Sequence, residues 1–306
     1  MKKSNKNLNL CYFDISWLSP YDGPGYRVVL YLQGCHLRCP WCHSPHSQTK
    51  GSSFLYFPER CKHCNRCAQV CSHGVHQVTP DNHVVDRTKC VGCGMCVDAC
   101  PASHPDQLSG VLVQPTKMMA IGKLWYLLYP QLDLLRSVGG LTISGGEALL
   151  QSKALAKLLH LCKKEGIHTA VETSGALHQK HIEDIVEVTD CWLYGLRPSP
   201  VYTPPHADKI IDNLAFLTKT GSRIIVRTPV IGGITDLPAS LGRIAEIMQT
   251  SGLREIQLLP FNRETAHYYY ALGRKCQVGD EAIVLPEQMD AVRTFFLKKD
   301  LLATII

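Results

Sequence analysis

No run in this 306-residue sequence reaches the 18 apolar residues that mark a membrane-spanning helix, so no membrane span is expected. Low-complexity tracts are absent. Met1 to Lys6 is basic, but no apolar stretch of signal-peptide length follows it, so an export signal is not read there. That weighs against a disulfide framework, a device of short secreted chains. At 45% hydrophobic and 19% charged residues, the composition is that of a globular protein able to bury a large core. The length suits one large domain plus a small one.

Cysteine is plentiful, and its spacing is the most informative feature. Eleven of the fifteen cysteines fall into three groups. Cys35, Cys39 and Cys42 form CxxxCxxC within CHLRCPWC. Cys61, Cys64, Cys67 and Cys71 share the spacing CxxCxxCxxxC with Cys90, Cys93, Cys96 and Cys100, the second group being followed by Pro101. Three thiolates can hold a four-iron cluster at three corners and leave one iron open to a ligand. Four per group, spaced as in bacterial ferredoxins, make closed electron carriers. Zinc can use CxxC pairs, but two successive CxxCxxCxxxC runs fit tetrahedral sites poorly. Cys11, Cys162, Cys191 and Cys276 stand outside the pattern and read as small apolar residues. The formal charge of +6 shrinks to about +1 once three loaded clusters contribute about −5, so nucleic-acid binding is not supported.

Tyr26 to Gln33 (YRVVLYLQ) reads as a buried strand, and the CxxxCxxC loop follows it directly. From about Phe54 to Gly110 the apolar periodicity fades and cysteine, His, Pro and Asp crowd in, so this block reads as a self-contained insert. Beyond it, helical stretches near Thr116–Leu128, Ser152–Glu165, Gln179–Val188, Asp208–Thr220, Ala239–Thr250 and Glu287–Lys299 alternate with strand-like runs. The strands are read at Leu141–Ser144, His168–Glu172, Cys191–Leu196, Arg223–Val230 and Glu255–Leu259. Six strands separated by helices argue for parallel βαβ units. Turn residues at the strand ends, including Gly145-Gly146, Ser174-Gly175, Pro198 and Gly232-Gly233, mark the ligand face.

These residues resemble the radical S-adenosylmethionine (SAM) enzymes, specifically the glycyl-radical-enzyme activating enzymes. DGPGYRVVLYLQGCHLRCPWCHSP (Asp22 to Pro45) is similar to the family's opening motif, and LTISGGEALLQ (Leu141 to Gln151) to its GGE strand. KKEGIHTAVETSG, IIVRTPVIGGITD and LLPFNRETAHYYYALG resemble its later strands. The two-cluster block points to the subgroup that includes activators of glycerol dehydratase, choline lyase and arylacetate decarboxylase.

The resemblance implies an α/β fold, a partial (β/α)6 radical SAM barrel with an inserted bacterial-ferredoxin-like domain. The units are residues 1–53 (barrel start with the CxxxCxxC loop), 54–110 (insert with two four-iron clusters) and 111–306 (remainder of the barrel). It implies three 4Fe-4S clusters, one open-site and two ferredoxin-type, together with SAM. The partners would be a glycyl radical enzyme as protein substrate and a ferredoxin or flavodoxin as electron donor, in a reducing cytoplasm, without nucleic acid or membrane. SAM would chelate the open iron and split reductively to methionine and a 5′-deoxyadenosyl radical, which takes a hydrogen atom from a Gly α-carbon of the partner. No protein acid or base is required, so no catalytic residue is assigned beyond the cluster ligands.

By the same resemblance Trp41 would lie near the adenine, and Gly145 and Gly146 would let backbone approach SAM. Glu147 would accept from its ammonium group, and Arg227 would reach toward its ribose and carboxylate region. Asp22 would help hold the incoming glycyl loop, or cap the DGPG turn. Glu172-Thr173 replaces the more usual Asp-Thr, and Asn262 stands where the family often has His. Gly195-Leu196-Arg197 replaces Asp-Leu-Lys, so Arg197 would pair directly with the SAM carboxylate, a contact that a cation and Lys otherwise share. In the insert, Cys61, Cys64 and Cys67 would share a cluster with Cys100, and Cys90, Cys93 and Cys96 with Cys71. His36, His43 and His46 read as loop groups. A radical SAM enzyme acting on a small molecule, with the two extra clusters holding or oxidising it, is disfavoured, because a substrate-binding cluster needs an open iron and both groups have full cysteine sets. A non-enzymatic electron carrier leaves the triplet and GGE unexplained.

Overall fold

The structure is a computed structural model that describes residues 8–49, 54–103, 110–197 and 206–306. The turn read at Pro198 and the end of the first unit at residue 53 lie outside the described residues.

The chain opens with β1 (Asn9–Ser19) and β2 (Tyr26–Leu32), an antiparallel pair. A block of short elements follows: β3 (Leu55–Tyr56), α1 (Arg66–Val70), β4 (His76–Val78), β5 (His83–Val85), α2 (Met95–Ala99) and β6 (Leu112–Val113). Regular alternation begins after β7 (Lys117–Ala120), which pairs with β1. It comprises α3 (Ile121–Leu135), β8 (Gly139–Gly145), α4 (Ser152–Lys164), β9 (His168–Thr173), α5 (Lys180–Glu183), β10 (Cys191–Gly195), α6 (His206–Lys219), β11 (Arg223–Val230), α7 (Pro238–Thr250) and β12 (Glu255–Pro260). The end holds α8 (Thr265–Ala271), α9 (Pro286–Leu297) and β13 (Leu302–Ile305).

A nine-stranded sheet runs in the order β13-β12-β11-β10-β9-β8-β2-β1-β7. From β2 to β13 every neighbouring pair is parallel. The six strands read from the sequence are there with ends shifted by about a residue or two. β1 and β7 at one edge and β13 at the other are additions to the strands read from the sequence. The helix expected from Thr116 begins at Ile121, because Lys117–Ala120 pairs with β1 instead. α4 shows why the helices form where they do. Ala154, Leu155, Leu158, Leu159 and Cys162 recur at three- and four-residue spacing and are buried.

The bottom of the sheet is closed by Arg27, fully buried on β2. Its Nη2 donates to the Leu141 carbonyl at 2.6 Å and its Nε to Thr142 Oγ1 at 2.9 Å, while longer bonds reach the Pro24 and His168 carbonyls. Burial pulls its pKa down to about 10.

The block between β2 and β7 has its own small core of Phe54, Cys67, Val75, Cys96, Val97, Val111 and Leu112. It seats on α8 through Leu55, Phe57 and Val113 against Ala271 and Leu272. Arg87 pins the junction, donating to the Phe54 carbonyl at 2.7 Å and the Ala271 carbonyl at 2.6 Å. No helix among the described residues is long and apolar enough to cross a membrane.

Candidate functional site

The C-terminal ends of β2, β8, β9, β10, β11 and β12 open onto one cavity of about 330 Å³. Its wall brings together Cys35, Cys39, Trp41, Cys42, Gly145, Gly146, Glu147, Glu172, Thr173, Arg197, Arg227 and Asn262. The strand ends of a parallel sheet converge because the connecting helices return each chain to the opposite edge.

Two glycines stitch the cysteine loop to β8. Gly145 has φ +117°, and a Cβ there would lie 2.4 Å from the Leu32 backbone. A Cβ on Gly146 would lie 2.3 Å from the Gly34 carbonyl. The freedom of this pair is thus used first to bring β8 against the end of β2. Gly146 N–H donates to the Leu32 carbonyl and Glu147 N–H to the Gly34 carbonyl. The adjoining Cys35 thiol is pushed up to about 12, by burial foremost and by the nearby Glu147 charge. A free thiol there keeps its proton, and binding iron would displace it.

Glu147 is 1% exposed and well partnered. It accepts from Thr173 Oγ1 at 2.8 Å, from Ser174 Oγ at 2.6 Å and from Ser174 N–H at 2.9 Å. It also caps Leu149 N–H of the following turn at 3.3 Å. The carboxylate therefore joins the ends of β8 and β9 while its face lines the cavity. Glu172 accepts from Ser144 Oγ at 2.5 Å and pairs with Arg227 at 3.2 Å. Burial would raise its pKa, but Arg227 and the Ser144 hydroxyl outweigh it and hold the carboxyl below the usual range.

Arg227 is 3% exposed and held on all sides. Asp22 lies 3.3 Å away, Gln257 Oε1 accepts from Nε at 2.9 Å, and Nη2 donates to the Tyr21 carbonyl. Burial opposes its charge, yet Glu172 and Asp22 keep its pKa above the ordinary value. Asp22 also accepts from Ser19 Oγ at 2.6 Å. It stands behind Arg227, between the DGPG turn and the cavity wall. Arg197 lies across Gly195, where a Cβ would come within 3.1 Å of its Nη2. Gly195 therefore makes room for that guanidinium. Asn262 Oδ1 accepts from Glu264 N–H at 2.9 Å. Trp41 is 6% exposed and lines the wall beside Cys42. Nothing in the sequence singles out Ser144 or Gln257, and Ser174 is marked there only as a turn residue. Gln257 stands out once the parallel register of β11 and β12 sets it opposite Arg227.

The other eight cysteines form two further walls. One cavity is lined by Cys61, Cys64, Cys67 and Cys100, the other by Cys71, Cys90, Cys93 and Cys96. All fifteen cysteines are free thiols. Burial pushes Cys67 up to about 11 and Cys96 up to about 12, and the neighbouring thiols of each add to it. One set of three sulfur donors and two of four, each around a common space, suit four-iron clusters by number and softness. Cys162 and Cys191 are buried in the core, and Cys11 and Cys276 are half-buried; none lines these three cavities. His36 Nε2 donates to the Ala176 carbonyl at 2.7 Å, and His46 is buried against Phe13 and Tyr268.

Comparison with known proteins gives two matching family models, a 4Fe-4S single cluster domain over residues 21–79 and a 4Fe-4S binding domain over residues 83–103. An isethionate sulfite-lyase activating enzyme of Oleidesulfovibrio alaskensis is 33% identical over 299 residues, covering 90% of this chain and 91% of its own. A choline trimethylamine-lyase activating enzyme of the same organism is 28% identical over 307 residues, covering 96% and 97%. Among solved structures, a domain of pyruvate-formate lyase-activating enzyme from Bacteroides vulgatus aligns with TM-score 0.45 and 21% identity, covering 55% of this chain and 99% of that domain.

Proposed function

The chain belongs to the glycyl-radical-enzyme activating enzymes of the radical SAM family, and from that premise we propose how its residues divide the work. Cys35, Cys39 and Cys42 hold an open-site four-iron cluster at the cavity mouth. Cys61, Cys64, Cys67 and Cys100 hold a second cluster, and Cys71, Cys90, Cys93 and Cys96 a third. The separate lining of the two smaller cavities supports that exchange of fourth ligands. Residues 54–110 then form a ferredoxin-like insert, and β2, β8, β9, β10, β11 and β12 form the partial (β/α)6 barrel around the SAM cavity. One observation carries this reading above the others: the three thiols of the triplet face Glu147, Glu172, Arg197 and Arg227 across a single cavity.

A four-iron cluster held by Cys35, Cys39 and Cys42 would supply the one electron by which SAM is split to methionine and a 5′-deoxyadenosyl radical, which would become 5′-deoxyadenosine by taking a hydrogen atom from a partner glycine. The protein's own residues bind and orient. Trp41 offers an aromatic face for the adenine. Glu147, held by Thr173 and Ser174, faces the SAM ammonium. Arg197, lying over Gly195, pairs with the SAM carboxylate. Arg227 is fixed by Asp22, Glu172 and Gln257, so it presents positive charge to the ribose region with little reorganisation. Asn262 and Thr173 add hydrogen-bonding capacity at the rim. Leu37, Ile231, Leu259 and Phe261 supply the apolar lining that limits water. Asp22, at the DGPG turn, meets the partner's glycyl loop, and a cytoplasmic ferredoxin or flavodoxin donates electrons through the insert.

The test is anaerobic reconstitution of the native chain and of a Cys35→Ala, Cys39→Ala, Cys42→Ala variant. The native protein is expected to cleave SAM under dithionite and to raise a glycyl radical signal, by electron paramagnetic resonance (EPR), on a co-expressed partner. The variant should keep the iron of two clusters and lose SAM cleavage altogether. A variant that still cleaves SAM overturns the assignment.

A further inference from the structure

Between the two four-cysteine cavities lies a buried pair of histidines that the activity above does not use. His83, on β5, lines the cavity of Cys61, Cys64, Cys67 and Cys100; His76, on β4, lines that of Cys71, Cys90, Cys93 and Cys96. The antiparallel β4–β5 pairing sets the two rings side by side, with His76 Nδ1 2.9 Å from His83 Nε2. On its other side His83 Nδ1 lies 3.4 Å from Cys61 Sγ. Phe54 packs on the His76 ring at 5.5 Å and Tyr56 on the His83 ring at 4.5 Å, so neither imidazole is free to turn.

The chemistry of the sulfur fixes the tautomers. A metal-bound thiolate can only accept a hydrogen bond, so the nitrogen facing Cys61 must carry the proton. His83 Nε2 is then a lone pair and accepts from His76 Nδ1–H. That leaves His76 Nε2 as an acceptor, and in the structure this buried atom has no partner. With both rings neutral, every other tautomer sets a lone pair against Cys61 Sγ at 3.4 Å or leaves two lone pairs facing each other at 2.9 Å; the longer 3.8 Å approach of His83 Nε2 to Cys67 Sγ is the one left without a proton.

We propose that His83 is a positioning residue that donates Nδ1–H to Cys61 Sγ, and that His76 orients it, so the pair bridges the two insert cavities and raises the potential of the Cys61 cluster. This rests on the reading that the insert holds two four-iron clusters. A donor aimed at a ligand sulfur stabilises the added negative charge of the reduced state, and such bonds are among the determinants of cluster potential. Only the Cys61 cluster receives a histidine donor of this kind among the described contacts. The relay is thereby made asymmetric.

The alternative occupant is a single metal ion, since one ligand atom each of Cys67, His76 and His83 lie within 4.8 Å of one another. Cys67 also lines the four-cysteine wall, so a zinc ion there would compete with the cluster.

Redox titration followed by EPR decides, on protein lacking the Cys35 triplet thiols so that only the insert clusters report. Iron and sulfide content of that background, before further substitution, tests the premise: fewer than two four-iron clusters there defeats the cluster reading itself. With both present, His83→Phe should lower one midpoint and not the other. The expected size is about tenfold in the reduced-to-oxidised ratio at fixed potential, about 59 mV for a one-electron couple. His76→Phe should shift the same cluster by less, and His83→Gln, which keeps an N–H, should restore part of the shift. Two unshifted clusters, equal shifts in both, or stoichiometric zinc that departs in His76→Phe would each overturn the bridge. If His83→Phe sheds iron, the His76→Phe titration decides by the same criterion.

Discussion

Arg227 has a carboxylate on each side, Asp22 at 3.3 Å and Glu172 at 3.2 Å, and almost no contact with bulk water. A guanidinium so enclosed holds two negative charges in place, and its removal strands them. Arg227→Met is therefore expected to cost about 3–5 kcal/mol of stability, the range for breaking a buried pair by removing one partner. Denaturant unfolding of the anaerobically purified variant measures it, and a cost under 1 kcal/mol would count against the enclosed-pair account. From the sequence, Arg227 was read as reaching toward SAM; the structure adds the partners that fix its direction. Those partners come from the β1–β2 turn, β9 and β12, between 30 and 205 positions away in sequence. No local pattern announces such a meeting. The triplet cysteines, by contrast, were legible at once, because their ligand spacing is confined to eight residues.

At the scale of elements, strand signals in the parallel region were easy to read because those strands are buried on both faces and run nearly all apolar. β1, second from one edge, and β13, at the other, are hard to read from the sequence because their residues are mixed and half-exposed. The short β7 was masked by the helical pattern that follows it. The parallel strands also give Arg27 its role. It sits at the start of β2 and bonds the β8 and β9 backbones, at the end of the sheet away from the cavity. Arg27→Met should cost about 2–4 kcal/mol, since buried carbonyl acceptors lose their donor. SAM affinity measured by equilibrium binding should stay within about twofold, because the rest of β2 beyond Arg27, Val28–Leu32, separates this arginine from the site by about 17 Å. A large loss of affinity with intact stability would reverse that assignment.

At the scale of the whole molecule, the block between β2 and β7 places two thiol-lined cavities beside the main sheet, with Arg87 joining the block to α8. If these cavities hold a relay, electrons from a protein donor must pass through them, whereas a small reductant can reach the triplet directly. Cys64→Ser is accordingly expected to reduce flavodoxin-driven SAM cleavage tenfold or more and dithionite-driven cleavage less than about threefold, both read as 5′-deoxyadenosine formed per minute. Equal losses with the two reductants would leave the insert a docking module. The histidine bridge belongs to this scale as well, since it joins one cavity to the other.

Sequence by itself determined the number and grouping of the thiols, the alternation of strand and helix, and the family motifs. Each of these is written in spacing along the chain, where short-range sterics and apolar periodicity act. The ferredoxin-like spacing already implied which thiols share a wall; tertiary structure alone decided which carboxylates enclose Arg227, and that His76 and His83 stand between two cavities. Those outcomes depend on contacts between segments far apart in sequence, chosen by how the buried faces pack rather than by any local preference.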